Sequence, residues 1–203
     1  VAGALSLADA AAVVALRSKV IARAGVGGAM LSVEAALGRI EPLLGADLSV
    51  AAVNGPTAVV LSGCASAVDR VSAVCERLGI RTRRVPVDYA SHSASVDDLE
   101  GRLRDALRDV SAADPHLPFY STVTASPIVP GVDTLDNGYW FTNLRSTVRF
   151  ADTIQRLLAD GYSTFVEVSA HPVLTASVQH TAEVTGVTPV VTGTLRRGEP
   201  AWQ

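Results

Sequence analysis

Ala29-Met-Leu-Ser-Val33, Leu48-Ser-Val-Ala-Ala-Val53, Ala58-Val-Val-Leu-Ser62 and Ile80-Arg-Thr-Arg-Arg-Val-Pro-Val87 are short runs rich in aliphatic and β-branched residues. Each reads as a strand. Val33 to Leu44 and Ala65 to Leu78 space their apolar residues at the helical period, and Asn54-Gly55-Pro56 between the middle strands is a turn signal. The order is therefore strand, helix, strand, strand, helix, strand. Two helices connected in this way can cover one face of a four-stranded sheet.

That order is the topology of a ferredoxin-like unit, here set between other elements. Upstream, Ser6 and Asp9 form a capping signal for a helix that runs through Ile21 to Gly25. Downstream come a helix near Asp97 to Val110, a strand at Phe119 to Thr124, a Pro- and Gly-rich stretch through Gly138, and a helix from Phe150 to Asp160. A strand at Thr164 to Val168 and a helix past Leu174 complete the pattern. Helices alternating with short apolar strands indicate a parallel α/β sheet. The expected fold class is α/β, with residues 1–28 and 89–193 in one layer and residues 29–88 as an inserted α+β unit. A site is expected between the two.

Composition narrows the function. The 203 residues are 48% hydrophobic and 18% charged with a formal net charge of −3, and the basic residues are scattered. A nucleic-acid partner or an anionic membrane surface would call for a basic stripe, so neither is expected. No apolar run approaches the roughly 18 to 20 residues that span a bilayer. The chain starts at Val1 with neither an initiator Met nor a signal-peptide pattern, as though cut from something longer. Cys64 and Cys75, the only cysteines, form no Cys-x-x-Cys pair and read as structural thiols of a reducing compartment. No metal-ligand cluster is visible.

Two positions carry chemistry. Arg17 falls among Val13, Val14, Val20 and Ile21 on the helix wheel, and so points into an apolar face. A guanidinium there needs a partner: a bidentate carboxylate from a ligand, a structural ion pair with a buried Asp or Glu, or an escape to water by snorkelling. His92 lies in the polar loop Val87-Asp-Tyr-Ala-Ser-His-Ser93, where the chain crosses between the two units. It is a candidate base near neutral pH, against the plain reading of a surface or packing histidine. Ser93, beside the only base, is a poor nucleophile candidate. Asn54-Gly55-Pro56, the segment Glu167 to Leu174 with His171-Pro172, and Gly193-Thr-Leu-Arg-Arg197 each have a structural reading as turn, helix start or solvated end. His116 and His180 read as surface histidines.

Taken in order, Val1-Ala-Gly-Ala-Leu-Ser-Leu7, Ala15-Leu-Arg-Ser18, Ala51-Ala-Val-Asn-Gly-Pro56 and Val87-Asp-Tyr-Ala-Ser-His-Ser93 closely resemble the acyltransferase domains of type I modular polyketide synthases. So do Pro118-Phe-Tyr-Ser-Thr-Val123, Tyr139-Trp-Phe-Thr-Asn-Leu-Arg145, Val148-Arg-Phe150, Phe165-Val-Glu-Val-Ser169 and Gly193-Thr-Leu-Arg-Arg197. The resemblance implies an α/β-hydrolase-like large subdomain with a ferredoxin-like small subdomain inserted at 29–88, and a post-acyltransferase linker starting at 194–203. It implies acyl transfer from an acyl-coenzyme A, through a serine-bound acyl-enzyme, to the phosphopantetheine thiol of an acyl carrier protein. His92 is then the catalytic histidine and Arg17 the arginine that pairs with a malonyl-type carboxylate. Arg149 supplies the backbone carbonyl that orients the histidine ring, and Asn54 lies near the cleft.

Tyr89-Ala90-Ser91-His92 has the form that accompanies methylmalonyl selection, whereas malonyl-selecting relatives show His-Ala-Phe-His. Ser91 in place of Phe leaves room for a methyl group, worth about 1 to 3 kcal/mol in an apolar pocket. Methylmalonyl-CoA is the implied substrate, malonyl-CoA the alternative, and no tightly bound cofactor is implied. The implied partners are a carrier protein and the adjoining ketosynthase and linker of a cytoplasmic synthase. The sequence contains no Gly-His-Ser-x-Gly nucleophile elbow, so the chain alone is expected to be inactive. A non-catalytic structural role within a synthase is a second reading, and hydrolysis of stalled acyl groups a third, against which Arg17 on the apolar face argues.

Overall fold

The computed structural model describes residues 1–25 and 27–199; the last four positions of the expected linker lie outside the described residues. Helix α1, Leu7–Ala24, opens on Ser6, whose hydroxyl accepts the Asp9 N–H, and closes on Gly25 in the left-handed conformation. The inserted unit follows, with β1 at Ala29–Val33, α2 at Leu37–Ile40, β2 at Leu48–Gly55, β3 at Ala58–Gly63, α3 at Ala65–Arg77 and β4 at Thr82–Arg84. Its four strands are ordered β2-β3-β1-β4 and all pairings are antiparallel, which is the ferredoxin-like arrangement. Alternate residues of β1 explain the core: Ala29, Leu31 and Val33 face Val68, Val71 and Cys75 of α3, while Met30 and Ser32 face the opposite side.

Local chemistry accounts for the departures from expectation. The helix expected over 33–44 shrinks to one turn, continued as a 3-10 turn at Glu41–Leu43, because Pro42 lacks the donor that an α-helix needs. The last strand pairs only over Thr82–Arg84, short of Pro86, which cannot donate to a ladder. Asn54 belongs to β2 rather than to the turn, since Gly55 pairs with Ala58 and the loop is Pro56-Thr57.

Beyond the insertion, the described elements are α4 (Glu100–Ala106), a minimal hairpin of β5 (Tyr120–Ser121) and β6 (Ser126–Pro127), α5 (Asn137–Arg145) and α6 (Phe150–Ala159). Then come β7 (Thr164–Glu167), α7 (Thr175–Thr185) and β8 (Val190–Gly193), with β7 and β8 parallel. Helices α1, α4 and α5 share one core through Val13, Leu103, Leu107, Phe141 and Leu144. Helices α6 and α7 share another with Phe165 and Val191. Helix α5 and strand β8 were not legible as periodic runs: α5 starts at the end of a Pro- and Gly-rich stretch, and β8 is only four residues long.

The two parts are joined along β2. Val148 lies parallel to that strand, donating to the Ala51 carbonyl at 2.8 Å and accepting from the Val53 N–H at 2.9 Å. The Thr147 hydroxyl adds a bond to the Val50 carbonyl at 2.7 Å. The segment just after α5 is thereby fixed to the sheet, which sets the position of the site.

Candidate active site

The loop after β4 lies against the start of β1. A Cβ placed on Gly28 would lie 2.6 Å from the Ala90 Cβ, so only glycine permits this approach. Ala90 is fully buried there, and Ser91 beside it donates its hydroxyl to the Met30 thioether at 3.5 Å. Ser93 turns inward, donating to the Ala90 carbonyl and accepting the Ser95 N–H, so it caps the following 3-10 turn. It is not presented as a nucleophile.

His92 is held from two sides by the end of α5. Its backbone N–H donates to the Leu144 carbonyl, and its ring Nδ1 lies 2.8 Å from the Ser146 carbonyl. These oxygens belong to the last turn of α5, where helix carbonyls have no intrahelical donor left. Since a carbonyl can only accept, Nδ1 carries the proton and Nε2 is the lone-pair nitrogen. Burial lowers the pKa of His92; the Ser146 carbonyl opposes this, and the nearby Arg17 charge reinforces it. The net shift is downward, which favours the neutral imidazole that a general base requires.

The ring-orienting carbonyl is thus that of Ser146, not of Arg149. Arg149 has a different task. It sits at the N-cap of α6, its carbonyl accepts from the Thr153 N–H and hydroxyl, and its exposed side chain binds Asp152 and the Thr124 carbonyl. The three-residue offset arises because the chain leaves α5 at Ser146 and is already paired with β2 by Val148.

Arg17 reaches the same region from α1. Val13 is buried, and Val20 and Ile21 pack on the core, but Val14 is 68% exposed, so the arginine lies at the edge of the buried stripe rather than at its centre. One Nη donates to the Asn143 side-chain oxygen of α5 at 2.8 Å. Among the described residues no carboxylate lies within ion-pair distance of Arg17. Burial lowers its pKa, partly offset by Tyr89. Next to it, a cavity of about 460 Å³ lies between Ser18, Ile21 and Ala22 of α1 and Asp88-Tyr89 of the loop.

The structure therefore brings Arg17, Tyr89, Ser91 and His92 to one place. Asn54 is half-buried on β2, and no hydrogen bond joins its side chain to those residues. Asn143, Ser146 and Met30 were missed by sequence reading. Asn143 lay within a quoted motif, but its partner is 126 positions away, and a carbonyl such as that of Ser146 has no residue-type signature. Elsewhere, Glu167 accepts N–H bonds from Val173, Leu174 and Thr175 at the start of α7. His171 is exposed and accepts from the Arg197 N–H at 3.4 Å. Among the described residues, no cluster of three or more His, Cys, Asp or Glu side chains could hold a metal ion, and no helix is long and apolar enough to cross a membrane.

The site thus combines a histidine of fixed tautomer with a cation that, among the described residues, has no carboxylate partner. The family model described as acyl transferase domain matches residues 1–203, and the chain belongs to that family. It is 50% identical over 205 residues to the spectinabilin polyketide synthase system protein NorC of Streptomyces orinoci, covering 98% of this chain and 9% of that protein. It is 52% identical over 204 residues to the pikromycin polyketide synthase component PikAII of Streptomyces venezuelae, covering 97% of this chain and 5% of that protein. The chain thus spans a small part of the curated relatives it matches. Among solved structures, the acyltransferase domain from module 8 of the salinomycin polyketide synthase matches with a TM-score of 0.91 at 47% identity, over 98% of this chain and 47% of that one. A loading acyltransferase from the avermectin synthase matches with a TM-score of 0.90 at 40% identity, over 98% of this chain and 63% of that one.

Proposed function

We propose that this chain is the histidine- and arginine-bearing part of a polyketide synthase acyltransferase domain. The domain moves a carboxylated extender unit, methylmalonyl in preference to malonyl, from coenzyme A to the phosphopantetheine thiol of an acyl carrier protein. In this reading residues 1–28 and 89–193 belong to the large subdomain, 29–88 form the small one, and 194–203 begin a linker beside a ketosynthase in the same synthase. The observation that carries the reading is Arg17: a partly desolvated guanidinium that, among the described residues, is bonded only to a neutral amide, and whose charge lowers the pKa of His92. Such a cation is matched to a substrate carboxylate.

The nucleophile is a serine of a Gly-His-Ser-x-Gly segment, which this sequence does not contain. As the serine oxygen attacks the thioester carbon, His92 Nε2 takes the hydroxyl proton. The C–S bond then breaks and the proton passes to the coenzyme A thiolate. In the second half, Nε2 takes the proton of the phosphopantetheine thiol, whose sulfur attacks the acyl ester, and returns it to the departing serine oxygen. The Ser146 carbonyl holds the tautomer throughout and stabilises the transient imidazolium. A small Ser91, buried against Met30 rather than filling the cleft, supports room for the extender's methyl group.

In the complete domain, Arg17→Ala is expected to lower kcat/KM for methylmalonyl-CoA by about 2 to 5 kcal/mol, and for propionyl-CoA far less. The two specificity constants measured side by side test this. Equal loss for both esters would reduce Arg17 to a structural residue.

A further inference from the structure

We propose that Asn143 is the positioning residue of the anion site: it holds the Arg17 guanidinium with a neutral acceptor, so that the arginine's charge remains available to a substrate carboxylate. This inference rests on the function proposed above and adds a residue to the same site.

The choice of partner is the first argument. Arg70, Arg81, Arg84, Arg104, Arg145, Arg149 and Arg156 each pair closely with an Asp or Glu, and their side chains are between 36% and 83% exposed. Arg17 is the more buried cation, which is where electrostatics would most reward a carboxylate. It has an amide instead, at 2.8 Å. The same helix supplies a contrast, since Arg145, two residues past Asn143, is paired with Asp97.

Position is the second argument. Guanidinium has no acceptor, so the Asn143 side chain must present its oxygen to Arg17, and its NH₂ group is turned elsewhere. Among the described residues that NH₂ group has no hydrogen-bond partner. The next residue, Leu144, and the helix cap, Ser146, supply the carbonyls that bind the His92 backbone and ring. One helix end therefore sets the anion-binding group and the base relative to each other. A displacement of α5 would move both together.

Asn143→Asp tests the inference because it keeps the shape and adds a charge. In the complete domain we expect KM for methylmalonyl-CoA to rise about thirtyfold or more, with kcat much less affected, because Arg17 is then neutralised from within. Propionyl-CoA, which carries no anion, should change by less than about threefold. Thermal stability should not fall, since the buried cation gains a partner. Asn143→Gln, which restores a neutral acceptor, should recover most of the lost KM.

A second readout needs no substrate. The charge that acts on His92 is Arg17 from α1; Asp88 and Tyr89 share its loop, and Arg145, beside Leu144 on α5, is already paired with Asp97. Asn143→Asp adds a carboxylate beside Arg17 alone, so the ring titration of His92 followed by NMR should move upward. Asn143→Ala leaves Arg17 charged and should give no such upward movement. An Asn143→Asp domain with the parent's KM and the parent's His92 titration overturns the proposal. If the parent itself loads no carboxylated acyl group, the functional reading fails, and the titration still decides the role of Asn143.

Discussion

The inserted sheet and the parallel pair β7–β8 are built to different degrees of closure. In the former, Leu31, Val33 and Leu61 are at most 2% exposed, and α3 packs against them. In the latter, Phe165 and Val191 pack on α6 and α7, while Val166 and Val190 on the other face are 54% and 63% exposed. Parallel strands are normally covered on both sides. Polar bonds do part of the work that burial does in the first region: Glu167 ties the end of β7 to the first turn of α7. The difference teaches that the four-stranded unit closes its core on one covered face, whereas β7 and β8 leave one face open among the described residues.

The largest expected effect is an all-or-none one. Incubated alone with methylmalonyl-CoA, the chain should show no acyl adduct by intact mass, because the Gly-His-Ser-x-Gly serine of the proposed mechanism does not occur in this sequence; one added acyl group on any residue of it would refute that mechanism. Next, Leu61→Ala should cost about 2 to 5 kcal/mol in urea unfolding, while Val166→Ala should stay within about 0.5 kcal/mol. Similar costs at both positions would erase the contrast between the regions.

At the junction, Tyr89→His with Ser91→Phe in the complete domain should reduce methylmalonyl loading about tenfold, with malonyl falling less. Met30 stands where the new ring must go, so overpacking will lower both rates somewhat. A ratio of specificity constants within about twofold of the parent would remove the loop from extender selection.

The smallest effect concerns acid. Burial works to raise the pKa of Glu167, but the N–H bonds from Val173, Leu174 and Thr175 and the Ser169 hydroxyl outweigh it, so the net shift is downward. A carboxylate with a depressed folded pKa contributes stability above its unfolded value of about 4.5, and loses that contribution as pH falls through the folded value. Melting temperature should therefore drop below about pH 4.5 more steeply for the parent than for Glu167→Gln. Parallel curves would mean that Glu167 contributes nothing through its charge.

Periodicity made the inserted unit legible, since three of its four strands and the helix at Ala65–Arg77 carry clear spacing. It failed where a proline interrupted a run, at Pro42 and Pro86, and where an element was too short to show a period, as at Val190–Gly193. Arg17 was found because a charge on an apolar stripe is conspicuous, although Val14 proved exposed and the stripe narrower than the wheel suggested. His92 stood out as a candidate base in a crossing loop. Its holder did not, because the Ser146 bond comes from main chain, where one residue looks like any other. The distance from Arg17 to Asn143 along the chain hid the remaining contact, which exists only once α1 and α5 share a core.

His92 has a backbone φ of 57°, in the left-handed region that few residues other than glycine adopt. Histidine, asparagine and aspartate enter it more readily than alanine does. The usual inactivating change to alanine would therefore alter two things at once, deleting the imidazole and pressing the chain to unwind at the point where Tyr89 and Ser91 are aimed. Asparagine keeps the bend and removes the imidazole, so His92→Asn is the variant in which a lost rate reports the proposed proton transfer and not a relaxed loop.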